Sequence, residues 1–262
     1  MKKNILYIKI AVFTLLFSAT AVALALQVGH RQAAVKTLKL HTSKPKKLKY
    51  DAALLDTLVR VAAQLDLNAH PLTYVCELMI SDGADTATGP IRQRLLLCKN
   101  GDDCYYKLDD TETLNAGGFY VYIDHEQKRI LLSRQRGIQA PVMGVLNDIK
   151  TRMQAENYQL VSSVKGNTRT LTLLNEKHIS CKAYGITYNT LTRKITSVNV
   201  RLSNPGQPEN TLMDKTIGMN FISWPAQASP IKFLSPGDVF TNTAGTIQLT
   251  DKYKDYELVN NL

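Results

Sequence analysis

The sequence predicts an α+β fold: a curved antiparallel sheet of about ten strands, an incomplete β-barrel, with two main helices packed on its concave side. Three observations predict it. Two stretches, 50–67 and 141–156, repeat apolar residues every three to four positions. Around them run short segments that alternate apolar and polar residues and break at turn residues. A sheet of that many strands curls or splits, and helices that each bury one stripe must lie on a sheet face. A partly closed barrel with helices across its open side meets both demands.

The N-terminal segment sets the compartment. Lys2, Lys3 and Lys9 precede an uncharged, mostly apolar run over 10–26, and Ala21, Ala23 and Ala25 give an A-x-A exit. Residues 1–25 therefore read as a signal peptide or, if retained, as a membrane anchor, although the run is short beside the roughly 20 residues of a spanning helix. No cysteine follows it for lipoprotein-type anchoring. The expected location is periplasmic or secreted, or tethered to the inner membrane by the uncleaved helix. The formal charge is +10. Much of the excess lies in a basic linker, 26–49, where Arg31, Lys36, Lys39, Lys44, Lys46, Lys47 and Lys49 stand without an acid. Such a run either meets an anionic membrane surface, at about 1 kcal/mol per basic residue, or serves as a solvated spacer. The compartment and the lack of a recognition motif argue against nucleic acid. Residues 50–262 are expected to form a single half-barrel domain.

In the first helix, Leu54, Leu55, Leu58, Val61, Ala62 and Leu65 make one stripe, with Asp51 at its positive end. Strands follow over 72–81, 91–98, 104–108, 119–124 and 129–134. The second and third form a hairpin with Asn100-Gly101 at its tip. The second helix buries Val142, Val145, Leu146, Ile149 and Met153. Strands resume over 159–164, 169–174, 180–188, 194–202 and 213–223, and short pieces lie at 231–233, 246–249 and 256–259. All pairings are expected to be antiparallel.

Four cysteines in an oxidising compartment suggest pairing. Cys98 and Cys104 bracket the hairpin turn, where a disulfide would staple neighbouring strands. Cys76 and Cys181 both fall in strand-like runs and would need adjacent strands. The C-x5-C spacing does not suit zinc, so no metal is expected, and buried thiols are the rival reading.

Catalytic motifs are absent. His30, His41, His70, His125 and His178 never fall at H-x3-H or H-E-x-x-H spacing, and there is no G-x-S-x-G elbow or phosphate-cradling glycine loop. Asp82, Asp85 and the pair Asp102-Asp103 lack calcium-loop spacing. Asp109-Asp110-Thr111-Glu112 reads as a solvated loop rather than a tuned carboxylate pair. No enzyme and no cofactor is expected. The aromatic residues Tyr74, Tyr105, Tyr106, Phe119, Tyr120, Tyr122, Tyr184, Tyr188, Phe221 and Trp224 lie in or beside strands. They serve either as core beneath the helices or as the wall of a cavity.

The order of elements resembles that of the outer-membrane lipoprotein carrier family, LolA- and LolB-like. Three stretches carry the likeness: the amphipathic helix over 50–67 leading into TYVCELMI, the run CYYKLDDTETLNAGGFYVYIDHEQKRILLSRQ, and the hairpin ITYNTLTRKITSVNVRL. The resemblance implies an incomplete antiparallel barrel with lid helices over an apolar cavity. It implies an exported, non-enzymatic lipid- or lipoprotein-binding protein whose partner is an acyl chain. Leu54, Leu58, Tyr122, Val145, Ile149 and Tyr184 are the expected cavity wall. The alternative is a structural or interaction module of a membrane-tethered envelope assembly, with envelope proteins as partners.

Overall fold

The computed structural model describes residues 50–66, 71–137, 153, 155–226, 229–243 and 246–262. The signal or anchor segment, the basic linker and most of the second predicted helix, with Val145 and Ile149, lie outside the described residues. Among the described residues no helix is long and apolar enough to cross a membrane.

Helix α1 (Ala52–Ala62) begins where the sequence says it should. Asp51 caps it, its carboxylate accepting from the backbone N–H groups of Ala53 and Leu54. Leu55, Leu58, Val61 and Ala62 are its buried face. The helix tightens into a 3₁₀ turn, Ala63–Leu65, before the chain leaves.

Six strands follow: β1 (Leu72–Asp82), β2 (Ile91–Asn100), β3 (Asp103–Leu108), β4 (Thr111–Ala116), β5 (Phe119–Asp124) and β6 (Arg129–Arg134). Five more come next: β7 (Gln159–Lys165), β8 (Thr168–Leu174), β9 (Cys181–Asn189), β10 (Ile195–Leu202) and β11 (Lys215–Ser223). A short helix α2 (Pro236–Val239) leads to β12 (Phe240–Thr243), β13 (Thr246–Leu249) and β14 (Glu257–Asn261). The described residues are thus mostly sheet.

The chain divides into two compact units. The first takes its described residues from Met1–Asp66, Ile80–Pro90 and Gln139–Gly218, the second from Leu67–Met79, Ile91–Ile138 and Met219–Leu262. Strands β1 and β11 each begin in one unit and end in the other.

In the first unit the strand order is β11-β10-β9-β8-β7, and α1 packs against β7 and β9. Register sorts the side chains by face. Leu160, Leu173, Tyr184 and Val200 make one row, and Leu171, Ile186 and Val198 the next. The opposite face is polar, with the Thr170 and Thr187 hydroxyls hydrogen-bonded at 2.9 Å. An amphipathic sheet of this kind offers an apolar helix only one face to cover.

In the second unit the order is β14-β6-β5-β4-β3-β2-β1. The core face of this sheet carries Tyr105, Leu114, Ala116, Val121, Ile123, Ile130 and Leu132, packed beneath Leu234, Val239, Phe240 and Tyr253 of the C-terminal segment. Two-residue loops join its central strands. Between β4 and β5 both loop residues, Gly117 and Gly118, have positive φ, as a type I′ hairpin requires.

Four expectations need correction. Strand β4 occupies 111–116, which the sequence assigned in part to a solvated acidic loop; all six residues are buried. Alternation reveals a strand buried on one face, and TETLNA is covered on both. The pairings are not all antiparallel, because β14 runs parallel to β6, Leu258 opposite Ile130. The piece at 231–233 is a 3₁₀ turn, Pro230–Lys232, started by a proline that suits the first helical position. The disulfides are absent as well: Cys76, Cys104 and Cys181 are free, buried thiols. Burial pushes Cys76 and Cys104 up to about 12 and Cys181 to about 11, which makes them inert packing groups.

Candidate functional site

The second unit has another buried face. Across β2 to β6, the row Leu97, Tyr106, Thr113, Tyr122 and Leu131 runs along it, flanked by the row Lys99, Cys104, Asn115, Tyr120 and Ser133. Alternation puts Tyr74 there too, since its neighbour Thr73 donates to Cys98 Sγ, on the core side of β2. Leu97, Cys104, Tyr106, Thr113, Asn115 and Tyr74 are all buried, yet none belongs to the core packed beneath the C-terminal segment. Tyr74 also meets Phe221 edge-on at 5.2 Å, and Phe221 stacks on Trp224 at 4.8 Å.

This face is aromatic with a hydroxyl seam. Desolvation raises all four of its tyrosines, Tyr122 to about 12 and Tyr74, Tyr106 and Tyr120 also above the usual phenol range. Thr113 stands between Tyr106 and Tyr122 in the row. The tyrosine hydroxyls stay neutral at physiological pH. The tyrosine part of the surface is therefore uncharged and broad, with few polar atoms to orient a ligand, and it suits an apolar chain.

Of the predicted wall residues, the structure places Tyr122 in the middle of this face. Leu54, Leu58 and Tyr184 belong to the first unit. There Leu58 is fully buried and Leu54 half-buried on α1, and Tyr184 is half-buried between Leu173 and Val200. Tyr74, Tyr106, Thr113 and Tyr120 complete the aromatic face around Tyr122. All four tyrosines are visible in the sequence as strand aromatics, and only the register tells which of them share a side.

Two buried charged clusters do other work. Glu112, on β4, accepts from the Tyr105 hydroxyl at 3.0 Å, from Lys107 Nζ at 2.7 Å and from His125 Nε2 at 3.1 Å. His125 Nδ1 in turn pairs with the Tyr256 hydroxyl at 2.9 Å. Burial alone would raise the Glu112 carboxyl, but these donors outweigh it and hold the carboxyl below the ordinary value. Three donors saturate the carboxylate, so it anchors the C-terminal segment instead of acting as a base. In the first unit, Lys182 Nζ and Asp214 Oδ1 form a fully buried pair at 2.7 Å, tying β9 to the start of β11. Among the described residues no cluster of three or more His, Cys, Asp or Glu is arranged to hold a metal.

No family model matches the chain, and no curated protein matches it in sequence. Solved structures align with it at low identity. An uncharacterized conserved protein of Thermus thermophilus is similar over 80% of this chain and 99% of its own, at 7% identity and a TM-score of 0.37. The MucA/MucB complex of Pseudomonas aeruginosa aligns over 76% of this chain and 64% of that chain, at 11% identity and a TM-score of 0.38. A LolA superfamily protein of Nitrosomonas europaea aligns over 70% of this chain and 98% of its own, at 7% identity and a TM-score of 0.31.

Proposed function

We propose that this chain is an exported, non-enzymatic lipid- or lipoprotein-binding protein of the carrier type. One observation carries this: the second unit buries both faces of one sheet, and the face turned away from the core beneath the C-terminal segment is lined by tyrosines. This face, with Tyr74, Tyr106, Tyr120 and Tyr122, is the proposed acyl-chain surface. Each methylene laid against it contributes about 0.8 kcal/mol, so burial of the acyl chain supplies most of the affinity. Release requires the covering elements to open, which places them at the less stable end of the fold. The N-terminal apolar segment supplies the compartment, and Leu54, Leu58 and Tyr184, with Val145 and Ile149, remain proposed wall residues.

The test is direct. The protein is purified from its native envelope without detergent and its bound lipids are identified by mass spectrometry, alongside titration with a fluorescent fatty acid. Stoichiometric lipid, or saturable binding that Tyr122→Ser weakens, supports the proposal. A lipid-free protein that also fails to bind the probe overturns it.

A second reading, an interaction module of an envelope assembly, draws on the first unit. Ile179 is 75% exposed and Leu212 83% exposed. The loops that carry them meet through hydrogen bonds from Ser203 to Ser180 and His178. Paired lysine substitutions at these positions would abolish association with an envelope partner while leaving lipid binding intact.

A further inference from the structure

We propose that Lys99 is the anion seat of the aromatic face, so that the ligand is an amphiphile whose polar end carries a carboxylate or a phosphate. This rests on the lipid-binding reading above and names the class of lipid.

Lys99 is only 5% exposed. An ammonium has three protons to place, and this one donates to a single group, the Gly101 carbonyl at its own hairpin tip. No carboxylate pairs with it among the described residues; the nearby carboxylates Glu112, Asp255 and Glu257 pair with Lys107, His125, Lys128 and Arg129. The contrast with Lys182, equally buried and matched to Asp214, shows how this fold treats a lysine whose role is structural. A buried charge left without a counter-ion is costly, and an incoming anion removes that cost.

Its surroundings fit a ligand's polar end. Lys99 stands opposite Cys104, and the row continues through Asn115, Tyr120 and Ser133. The Arg136 guanidinium lies over the Tyr120 ring, 4.8 Å from its centre, and donates to Ser133 Oγ at 3.4 Å. Asn115 fixes that arginine's backbone, donating to its carbonyl and accepting from its N–H, both at 3.0 Å. The nearby Asp103 is turned to the core side of β3, where Gln135 holds it. This end of the face is thus cationic. The apolar row Leu97, Tyr106, Tyr122 and Leu131 begins about 7 Å along the strands, two residues away. An anion at Lys99 leaves its acyl chain to run along the tyrosines.

The experiment compares a fatty acid with the fatty alcohol of the same chain length, using the full chain and displacement of a fluorescent probe. Wild type is expected to prefer the acid by about tenfold or more, the scale of one charge-assisted hydrogen bond. Lys99→Met is expected to erase the preference and leave alcohol affinity unchanged. Lys99→Gln, which keeps a donor for Gly101 without the charge, guards against a folding artefact and is expected to lose the preference too. Equal binding of acid and alcohol by wild type, or a preference that survives in both variants, overturns the anion seat alone. Binding of neither ligand overturns the lipid reading and the seat with it. Inorganic phosphate separates the sources of the anion: if it displaces the acid but not the alcohol, the seat also accepts a free anion, and if it displaces neither, the seat serves the amphiphile's own head.

Discussion

Cys98 stands directly opposite Tyr105 across the β2–β3 ladder and therefore points to the side of the sheet that Cys104 turns away from. The cause is the loop. Gly101 and Asp102 form a two-residue turn, with Gly101 at φ +59° and Asn100 paired to Asp103. A turn centred on Gly101 alone would have set the two thiols face to face. The expected result is that air-oxidised protein shows no Cys98–Cys104 disulfide in non-reducing peptide mapping. Replacing Tyr105 by cysteine is expected to create a cross-strand bond with Cys98.

The buried Lys182–Asp214 pair gives a stability prediction. Asp214→Ala strands the Lys182 ammonium in the interior of the first unit and is expected to cost about 3–5 kcal/mol. The double replacement Lys182→Met, Asp214→Leu is expected to cost far less, because the buried ammonium goes with its partner and Arg201, which also meets Asp214, keeps Glu176. Urea denaturation of the three proteins measures both.

Glu112 governs the acid limb. Its carboxyl titrates below the ordinary value of 4.5 in the folded state. A depressed carboxylate stabilises the fold in full above the unfolded value, and that contribution disappears as the pH falls through the lower, folded value. Glu112→Gln is expected to lower stability by about 1–3 kcal/mol at neutral pH and to flatten the acid limb of the stability profile. Thermal melts between neutral and acid pH decide it.

Gly83 has no room for a side chain. A Cβ there would lie 2.1 Å from the Leu212 carbonyl oxygen and 2.9 Å from that of Asp214, to which the Gly83 N–H donates at 3.0 Å. Gly83→Ala is expected to destabilise by about 1–3 kcal/mol, and an equilibrium unfolding curve checks it.

Leu114 and Tyr122 separate stability from binding. Leu114 is wholly buried in the core beneath the C-terminal segment, and Leu114→Ala is expected to cost about 2–5 kcal/mol. Half-buried Tyr122 is expected to affect fatty-acid affinity more than unfolding when replaced by serine. Calorimetry and probe titration on the same two variants distinguish the roles.

Much of this architecture was legible in the sequence because local pattern and burial agreed. The stripe of α1, the acid at its start and the strands from β5 to β11 all follow from period and turn chemistry. Strand β4 was hidden because Thr111, Glu112, Thr113 and Asn115 are polar residues on a strand buried on both faces, so no alternation marks it. Residue Glu112 looked like a solvated loop acid, since the donors that hold it come from β3 and from the turn after β5. The aromatic face was half legible. Its tyrosines could be picked out, but whether Tyr105 or Tyr106 lies on it depends on a single residue of loop length. The counter-ion missing at Lys99 carries no sequence signal at all.

The parallel strand at 257–261 has a consequence for how this protein is made. Arg129 meets Glu257 across 128 positions of chain, and the first unit's strands β7 to β10 are threaded between the two. As the polypeptide emerges, β2 to β6 can zip into hairpins quickly, since each partner is only a few residues behind. Their core side must then wait, uncovered, until more than a hundred further residues have appeared. Loops of that span close slowly, and an apolar sheet left open for so long invites the wrong partner. An exported chain held unfolded until translocation is complete escapes that interval, because the covering segment is already present when folding starts.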